Sequence, residues 1–316
     1  MKKAFEKLNL RDYGVLLGFL ALCIAISIAT PSFLGKQNIL NLLRQSSIIG
    51  IISAGMTFVI ISGNFDISVG AVAALAGAIT MKFATGGTNL FASMLLGVAI
   101  CAVIGLINGI VVAKINVPSL IATMAMVTIV RGLLLMLTRG YPITENIPIL
   151  DYIGNGYLFS IPIPVVIFFI VVLASFIVLN KTKFGRYVYS VGGNQEASKL
   201  NGINVDSHKV KVFIINAVLA GIAGIVLTGR LGTATAIAGE GYDMDAIASV
   251  VIGGTSVAGG SGSVLKTVIG VLLMSVINNS FNLLGIDVYF QYIFKGLIIL
   301  AAVGFDSYSK KKLASR

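Results

Sequence analysis

The sequence predicts an all-α, polytopic membrane protein of about ten transmembrane helices, and three features support this fold class. Of the 316 residues, 57% are hydrophobic and only 11% are charged, and the mean hydropathy of +0.97 is far above that of soluble domains. Apolar runs of membrane-spanning length recur along the chain, and short polar patterns of the first part return in the same order in the second. We therefore treat residues 1–316 as a single transmembrane domain.

The ten predicted spans follow from the length of the apolar runs, because a helix needs about 20 apolar residues to cross a bilayer. Such runs lie near residues 14–30, 44–62, 67–84, 90–113, 117–138, 158–180, 212–229, 246–258, 264–284 and 289–305. The first run lacks a small-residue cleavage site, so we expect it to be retained. The eighth is short and interrupted by glycine (VVIGGTSVAGG), which suits a half-helix as well as a full span.

The distribution of lysine and arginine predicts the orientation, since these residues are retained on the cytoplasmic side. With ten spans and a cytoplasmic N-terminus, sixteen of them fall in inner segments and five in outer segments. Both termini are therefore expected in the cytoplasm of a multi-pass protein of the cell (inner or plasma) membrane. The net charge of +11 is explained by this topology signal, and no patch or motif indicates a nucleic-acid partner.

An internal duplication is predicted from three patterns that return with separations of 177, 170 and 164 residues. Residues 65–68 (FDIS) match 242–245 (YDMD), 107–108 (IN) match 277–278 (IN), and 131–135 (RGLLL) match 295–299 (KGLII). The predicted repeats cover approximately 39–140 and 210–306. An odd number of spans separates them, so the second copy enters the membrane from the opposite side, as in the inverted repeats of transporters.

Enzymatic chemistry is not favoured by the residues present. The sequence contains no HExxH motif and no cluster with metal-ligand spacing, and the single histidine, His208, lies in a polar loop. Cys23 and Cys101 lie in apolar runs and indicate neither a disulfide framework nor a metal site. We predict no catalytic residue and no metal.

The energy source is also constrained by the sequence. None of the twelve acidic residues lies in the middle of a span, which disfavours a carrier driven by a proton or sodium gradient. No Walker A loop is present, and Gly192-Gly193-Asn194 has neither the spacing nor the setting of a dinucleotide-binding loop. We expect no cofactor on this chain.

Three long segments contain several polar motifs in a fixed order. The first half contains "GMTFVIISGNFDISVGAVAAL". Later in the chain come "SVGGNQEASKLNGINVDSHKVKVFIINAVLAGIAGIV" and "GYDMDAIASVVIGGTSVAGGSGSVLKTVIGVLLMSVINNSFNLLGIDVYFQYIFKGLIILAAV". These segments resemble the permease subunits of ribose-type ATP-binding-cassette (ABC) sugar importers. The resemblance implies alternating access driven by a separate ABC ATPase subunit that binds the ATP. It also implies an external sugar-binding protein, a second permease copy in a homodimer, and surrounding membrane lipid.

In that family a long cytoplasmic loop carries a coupling helix that docks on the ATPase, and residues 181–211 fit this description. We expect Gly192-Gly193 to form a turn, Asn194 to cap a short helix over 195–200, and Asn201-Gly202 to end it. A solvated loop without a partner is the alternative. The predicted coupling residues are Gly192, Gly193, Asn194, Glu196, Ala197, Ser198 and Gly202.

Polar residues in or beside the apolar runs are candidates for the translocation pathway or for structural contacts between helices. They are Asp66, Ser68, Asn108, Arg131, Asn278, Asn279, Asn282 and Lys295. Asp66 either caps the third helix or approaches the pathway. Arg131 and Lys295 would be costly facing lipid, so each either pairs within the protein, snorkels or contacts substrate. Asn278 and Asn282 share a helix face, where amides bind sugar hydroxyls or another helix.

Charged groups in the outer segments are candidates for docking the binding protein. They are Arg139, Arg230, Asp243 and Asp245. The resemblance favours import of a ribose-like monosaccharide, and the same architecture could import an autoinducer, a nucleoside or a branched-chain amino acid. A membrane scaffold without a pathway and an ion-coupled secondary carrier are the alternatives from other classes.

Overall fold

The computed structural model describes the backbone of residues 10–314, and the all-α class is confirmed in this range. Its helices are α1 (Leu10–Ala29), α2 (Lys36–Ile61), α3 (Val69–Thr85), α4 (Leu90–Ala113), α5 (Ser119–Thr138), α6 (Pro148–Asn155), α7 (Ile163–Lys181), α8 (Lys183–Gly193), α9 (Gln195–Leu200), α10 (Val205–Leu231), α11 (Tyr242–Ile252), α12 (Val264–Leu283) and α13 (Val288–Ala314). A 3-10 turn covers Pro31–Leu34, and two-residue strands are β1 (Ile143–Thr144), β2 (Tyr157–Leu158), β3 (Ile161–Pro162) and β4 (Thr233–Ala234). The strands form two antiparallel pairs, β1 with β4 and β2 with β3.

Every predicted apolar run falls on a helix, namely α1 to α5, α7 and α10 to α13. Among the described residues, six helices are long and apolar enough to cross a membrane, namely α2, α4, α5, α7, α10 and α12. The protein is thus a multi-pass membrane protein, while the total of ten spans stays a prediction.

The eighth run forms only a half-helix. Helix α11 has 11 residues, so at a rise of 1.5 Å per residue it covers about half of a 30 Å hydrocarbon core. It ends at Ile252 with Gly253 as its C-cap residue, and the chain continues without regular structure to residue 263, with positive φ at Gly254, Gly259 and Gly260. Such irregular backbone is tolerated at membrane depth only where protein or a water-filled cavity surrounds it.

Apolar helices divide into a central and a peripheral group. The most apolar window of α2 is 94% buried within the chain, whereas the corresponding windows of α4, α5 and α7 are 28% buried. Helix α2 contacts α7, α10, α11 and α12. It therefore lies in the core, while the exposed apolar faces of α4, α5 and α7 suit contact with lipid.

Helix α10 packs against α2, α3 and α4 at very short distance, and glycines make this possible. A Cβ atom on Gly224 would overlap the carbonyl oxygen of Ala73, and one on Gly105 would lie 2.6 Å from the Phe213 oxygen. Close approach increases van der Waals contact, which drives helix association in a bilayer where apolar burial contributes little.

A short outer layer covers the end of α10. Helix α6 packs against α10, and Gly154 leaves room for the backbone of Arg230. The amide of Asn155 donates to the carbonyl oxygen of Arg230 at 3.2 Å. The backbone carbonyl oxygen of Asn155 accepts from the buried guanidinium of Arg44 at 3.0 Å. These hydrogen bonds connect α2, α6 and α10 at this end of the bundle.

We expect Gly224→Ala to lower the free energy of unfolding by about 1 to 3 kcal/mol, the usual cost of overpacking, because the added methyl group meets the Ala73 backbone. Thermal unfolding of the purified variant in detergent measures this loss. Gly132→Ala on α5 is the matched control, since no atom of the described residues lies within 4 Å of its added Cβ. Equal melting temperatures for the two variants would contradict the close approach of α10 and α3.

Candidate functional site

A cavity of about 590 Å³ lies between α3, α5 and the loop that joins α10 to α11. Its polar side chains are Thr128, Arg131, Glu240 and Asp243, and its remaining lining residues are mostly apolar or glycine. Mixed apolar and polar linings with a few directed groups are typical of sites for small solutes. This cavity is therefore the candidate translocation site.

Arg131 anchors the loop that forms one wall of the cavity. Its Nη1 donates to the carbonyl oxygen of Ala236 and, at 3.1 Å, to that of Ala238. Glu240 follows closely on this loop and lines the same cavity. The guanidinium therefore faces protein and cavity, as the membrane cost of a charge requires. It fixes the wall through backbone carbonyls.

Asp66 lies outside the cavity lining, in a buried polar cluster. Its Oδ1 accepts from the Ser68 nitrogen (2.9 Å) and hydroxyl (2.5 Å), and its Oδ2 accepts from the Asn216 amide (2.9 Å). Asn108 donates to the Ser68 hydroxyl at 3.1 Å. Burial raises the pKa of the Asp66 carboxyl, and the hydrogen bonds from Ser68 and Asn216 oppose that rise.

The predicted capping role of Asp66 needs a correction. The N-cap residue of α3 is Ser68, and Asp66 instead closes a turn two residues before it. Sequence reasoning also missed Asn216, which is fully buried on α10. It interrupts the apolar run 212–229 as a lone amide, and an isolated polar group in such a run was the available signal.

A second polar cluster joins α11, α12 and α13. Lys295 Nζ lies 3.0 Å from Asp245 Oδ1, and the Asn278 amide donates to Asp245 Oδ2 at 3.5 Å. Asp245 is only 4% exposed, so its carboxylate is not available to an external protein. The prediction that Asp245 docks the binding protein is wrong. Of the roles considered for Lys295, the structure shows an ion pair within the protein.

Two further asparagines connect neighbouring helices. Asn279 and Asn38 on α2 exchange hydrogen bonds of 2.8 and 3.0 Å. Asn282 accepts from the Gln291 amide on α13 at 3.2 Å. Neither asparagine lines the cavity. Both form hydrogen bonds between helices instead, which was the other role considered for them.

The remaining outer charges have different surroundings. Arg139 is exposed at the left-handed end of α5, where its φ is 54°. Arg230 is half-buried in the last turn of α10. Asp243 lines the cavity. A docking role for these three residues stays a prediction.

The predicted short helix of the cytoplasmic loop is present as α9, over Gln195–Leu200. Asn194 caps it, since its Oδ1 accepts from the Ala197 nitrogen at 2.9 Å. Gly202 follows with φ of +74°, a conformation that glycine adopts without strain. The helix and both of its end signals are confirmed, because they depend on neighbouring residues alone.

The side chains of α9 divide into a buried and an exposed group. Ser198 is buried and lies 2.9 Å from the Ser190 hydroxyl of α8. Glu196 and Ala197 are exposed, and Leu200 is 88% exposed. An apolar side chain held outward on an ordered helix suits contact with another protein.

Gly192 and Gly193 do not form the predicted turn. They are the last two residues of α8, which runs over Lys183–Gly193. The change of direction occurs at Asn194, whose backbone is extended (φ −160°, ψ 108°). Gly192 instead allows a close contact with the end of α2, because a Cβ atom there would overlap the carbonyl oxygen of Ile61.

The chain resembles known proteins over almost its whole length. Residues 38–303 match the family described as "Branched-chain amino acid transport system / permease component". The chain is 44% identical to the ribose import permease protein RbsC of Haemophilus influenzae, over 93% of this chain and 94% of that protein. It is 43% identical to RbsC of Bacillus subtilis, over 94% and 93%.

The xylose transport system permease protein XylH of Haemophilus influenzae is 34% identical over 98% of this chain and 99% of that protein. No solved structure matches the chain. The resemblance to ribose-type permeases inferred from the sequence is confirmed by these relatives.

We expect Lys295→Met to lower the free energy of unfolding by about 3 to 5 kcal/mol, because it leaves the carboxylate of Asp245 buried and unpaired. The double variant Asp245→Asn with Lys295→Met is expected to recover most of this loss. Thermal unfolding of the two single variants and the double variant gives the coupling free energy. Additive losses would show that the two side chains do not stabilise each other.

Proposed function

This chain belongs to the permease family that it matches, and we propose that it is the transmembrane subunit of an ABC importer for a ribose-like monosaccharide. The observation that carries this proposal is the identity of 43 to 44% with ribose import permeases over more than nine tenths of each chain. The chain is thus a transport subunit rather than an enzyme. We assign ATP binding and hydrolysis to a separate ATPase subunit.

The cavity beside Arg131 is the proposed sugar site. Thr128, Arg131, Glu240 and Asp243 line it together with apolar side chains. A sugar offers hydroxyl groups that both donate and accept hydrogen bonds, and apolar faces between them. Carboxylates, a hydroxyl and a guanidinium around an apolar floor are complementary to this chemistry.

A second copy of the chain is proposed to complete the pathway. Met124, Leu135 and Ile237 line the cavity and are 54%, 52% and 73% exposed. The cavity of one chain is therefore open on the side of these apolar residues. A twofold pair would close this side with the equivalent surface of the partner.

The inverted repeat is part of the same proposal and has support from equivalent contacts. Ser68 and Asp245 occupy matching positions of the predicted repeats, as do Asn108 and Asn278. In the first half Asn108 donates to Ser68, and in the second Asn278 donates to Asp245. The four successive helices α2–α5 of the first half also correspond in order to α10–α13 of the second half. In the second set the half-helix α11 stands in the position of α3. We place both termini and α9 in the cytoplasm.

Helix α9 is proposed to bind the ATPase subunit through its exposed face. We expect Leu200→Ser to reduce both co-purification of the ATPase and sugar-stimulated ATP hydrolysis, since it removes the most exposed apolar side chain of this helix. The assay uses proteoliposomes with this chain, the candidate ATPase and the candidate binding protein. Pentoses, hexoses, nucleosides and branched-chain amino acids are tested as solutes.

Phe159→Ser is the matched control, because Phe159 is 92% exposed in the turn between β2 and β3, away from α9. It should leave co-purification of the ATPase unchanged. If a pentose other than ribose stimulates ATP hydrolysis and is taken up, the substrate would be closer to that named for the xylose relative. Uptake by the chain alone on an ion gradient would replace the proposal with a secondary carrier.

Docking of the binding protein is proposed at the outer charges that remain accessible. We expect Arg139→Glu to weaken stimulation of ATP hydrolysis by the loaded binding protein, because it reverses the charge of an exposed residue on the outer face. The loss should shrink with rising salt, as a surface ion pair does. Lys114→Glu, an exposed lysine that follows α4 on the opposite, cytoplasmic side, serves as the charge-matched control for this docking. An unchanged concentration dependence on binding protein would remove Arg139 from the interface.

A further inference from the structure

Three backbone segments meet at the base of α9, and glycines occupy each of them. They are the end of α2 with Gly63, the end of α8 with Gly192, and the irregular segment after α11 with Gly259 and Gly260. The Gly260 nitrogen donates to the carbonyl oxygen of Ile61 at 2.8 Å. We name this contact of residues 61–63, 192–193 and 259–260 the glycine junction.

The glycine junction has no room for a side chain at its centre. A Cβ atom on Gly192 would overlap the Ile61 carbonyl oxygen and lie 2.7 Å from the Gly260 nitrogen. One on Gly259 would lie 2.8 Å from the Gly192 oxygen and 2.9 Å from the Gly63 backbone. Gly63, Gly259 and Gly260 also have φ of +78°, +83° and +72°, which L-residues adopt only with strain.

A side-chain hydrogen bond fastens α8 to the same segment. The hydroxyl of Tyr189 donates to the Gly262 carbonyl oxygen at 3.0 Å. Tyr189 lies on α8 one turn before Gly192 and Gly193. Helix α8 is therefore connected to residues 259–262 by both backbone contact and this bond.

Both segments that leave the glycine junction lead to walls of the cavity. Beyond Gly63 the chain reaches Ile67 and Gly70, which line the cavity. On the other side of the junction, the segment before Gly259 begins at α11, whose first turn carries the lining residue Asp243. Because packed elements are stiff, a displacement at the junction would shift two walls of the cavity together.

We propose that the glycine junction transmits movement of α9 to the cavity, and that Gly192 is its positioning residue. This inference rests on the proposed function, in which α9 binds the ATPase. Gly192 touches neither solute nor nucleotide; it acts by letting α8, α2 and the segment after α11 contact one another. Its substitution should uncouple ATP hydrolysis from transport while leaving α9 exposed to the ATPase.

The test compares Gly192→Ala with Gly193→Ala, because these neighbours differ in the space around them. Among the described residues, an added Cβ on Gly193 meets only the Gly260 Cα, at 3.9 Å, which is an ordinary contact. In proteoliposomes with ATPase and binding protein, we expect Gly192→Ala to lower solute transported per ATP hydrolysed by at least about fivefold, the lower end of typical coupling factors. Gly193→Ala should keep the wild-type ratio.

A second readout follows the cavity itself. Ile237→Cys places a thiol on a residue that lines the cavity, in a background with Cys23 and Cys101 replaced by alanine. ATP is expected to change the rate of thiol labelling in this variant and in combination with Gly193→Ala. With Gly192→Ala the labelling rate should no longer respond to ATP.

Tyr189→Phe tests the same transmission if Gly192→Ala does not assemble with the ATPase. It removes only the hydroxyl that contacts Gly262, and we expect a smaller loss of transport per ATP. Normal coupling in Tyr189→Phe together with non-assembly of Gly192→Ala would overturn the proposal, as would normal coupling in Gly192→Ala. Absence of ATP-driven uptake in the wild-type complex would instead overturn the proposed function.

Discussion

Helix α10 lies so close to α3 and α4 that their backbones touch directly, and much of the remaining structure depends on this approach. Gly224 faces the Ala73 carbonyl, and Gly105 faces the Phe213 carbonyl. Helix α10 can therefore carry Asn216 to the buried carboxylate of Asp66 and hold α6 at its other end. In a bilayer this packing replaces the apolar burial that assembles a soluble core. The cavity owes its shape to the same helices, since α3 supplies one wall and the loop after α10 another.

Features set by neighbouring residues could be predicted from the sequence. The apolar runs predicted the large helices, and Asn194 and Gly202 predicted the limits of α9, because capping and left-handed termination need only local chemistry. Of the polar residues predicted to line the pathway or join helices, only Arg131 lines the cavity. Its charge in an apolar run implied a contact within the protein, but the carbonyls of Ala236 and Ala238 lie more than 100 positions away. Tertiary partners of that kind leave no mark on the sequence near the residue.

Two expectations failed because tertiary contact outweighed local preference. Gly192-Gly193 resembles a turn, yet both glycines extend α8, and Gly192 contacts the backbone of Ile61 and Gly260 where no side chain would fit. Asp245 resembles an outer surface charge because it follows a loop, yet it is buried in the bundle and forms an ion pair with Lys295. In both cases the residue type was informative, and its partner, distant in sequence, decided its role.

If the cavity holds the sugar as proposed, the charges of its lining bear on which solutes it admits at low electrostatic cost. Glu240 and Asp243 both line the cavity, while the guanidinium of Arg131 already donates to two carbonyl oxygens of its own chain. A phosphorylated sugar would bring a further negative charge beside two carboxylates, where like charges repel strongly because surrounding protein screens them less than water does. A neutral polyol meets no such barrier. With two carboxylates against one guanidinium in its lining, the proposed site would therefore admit a neutral sugar at lower electrostatic cost than the phosphate ester of that sugar.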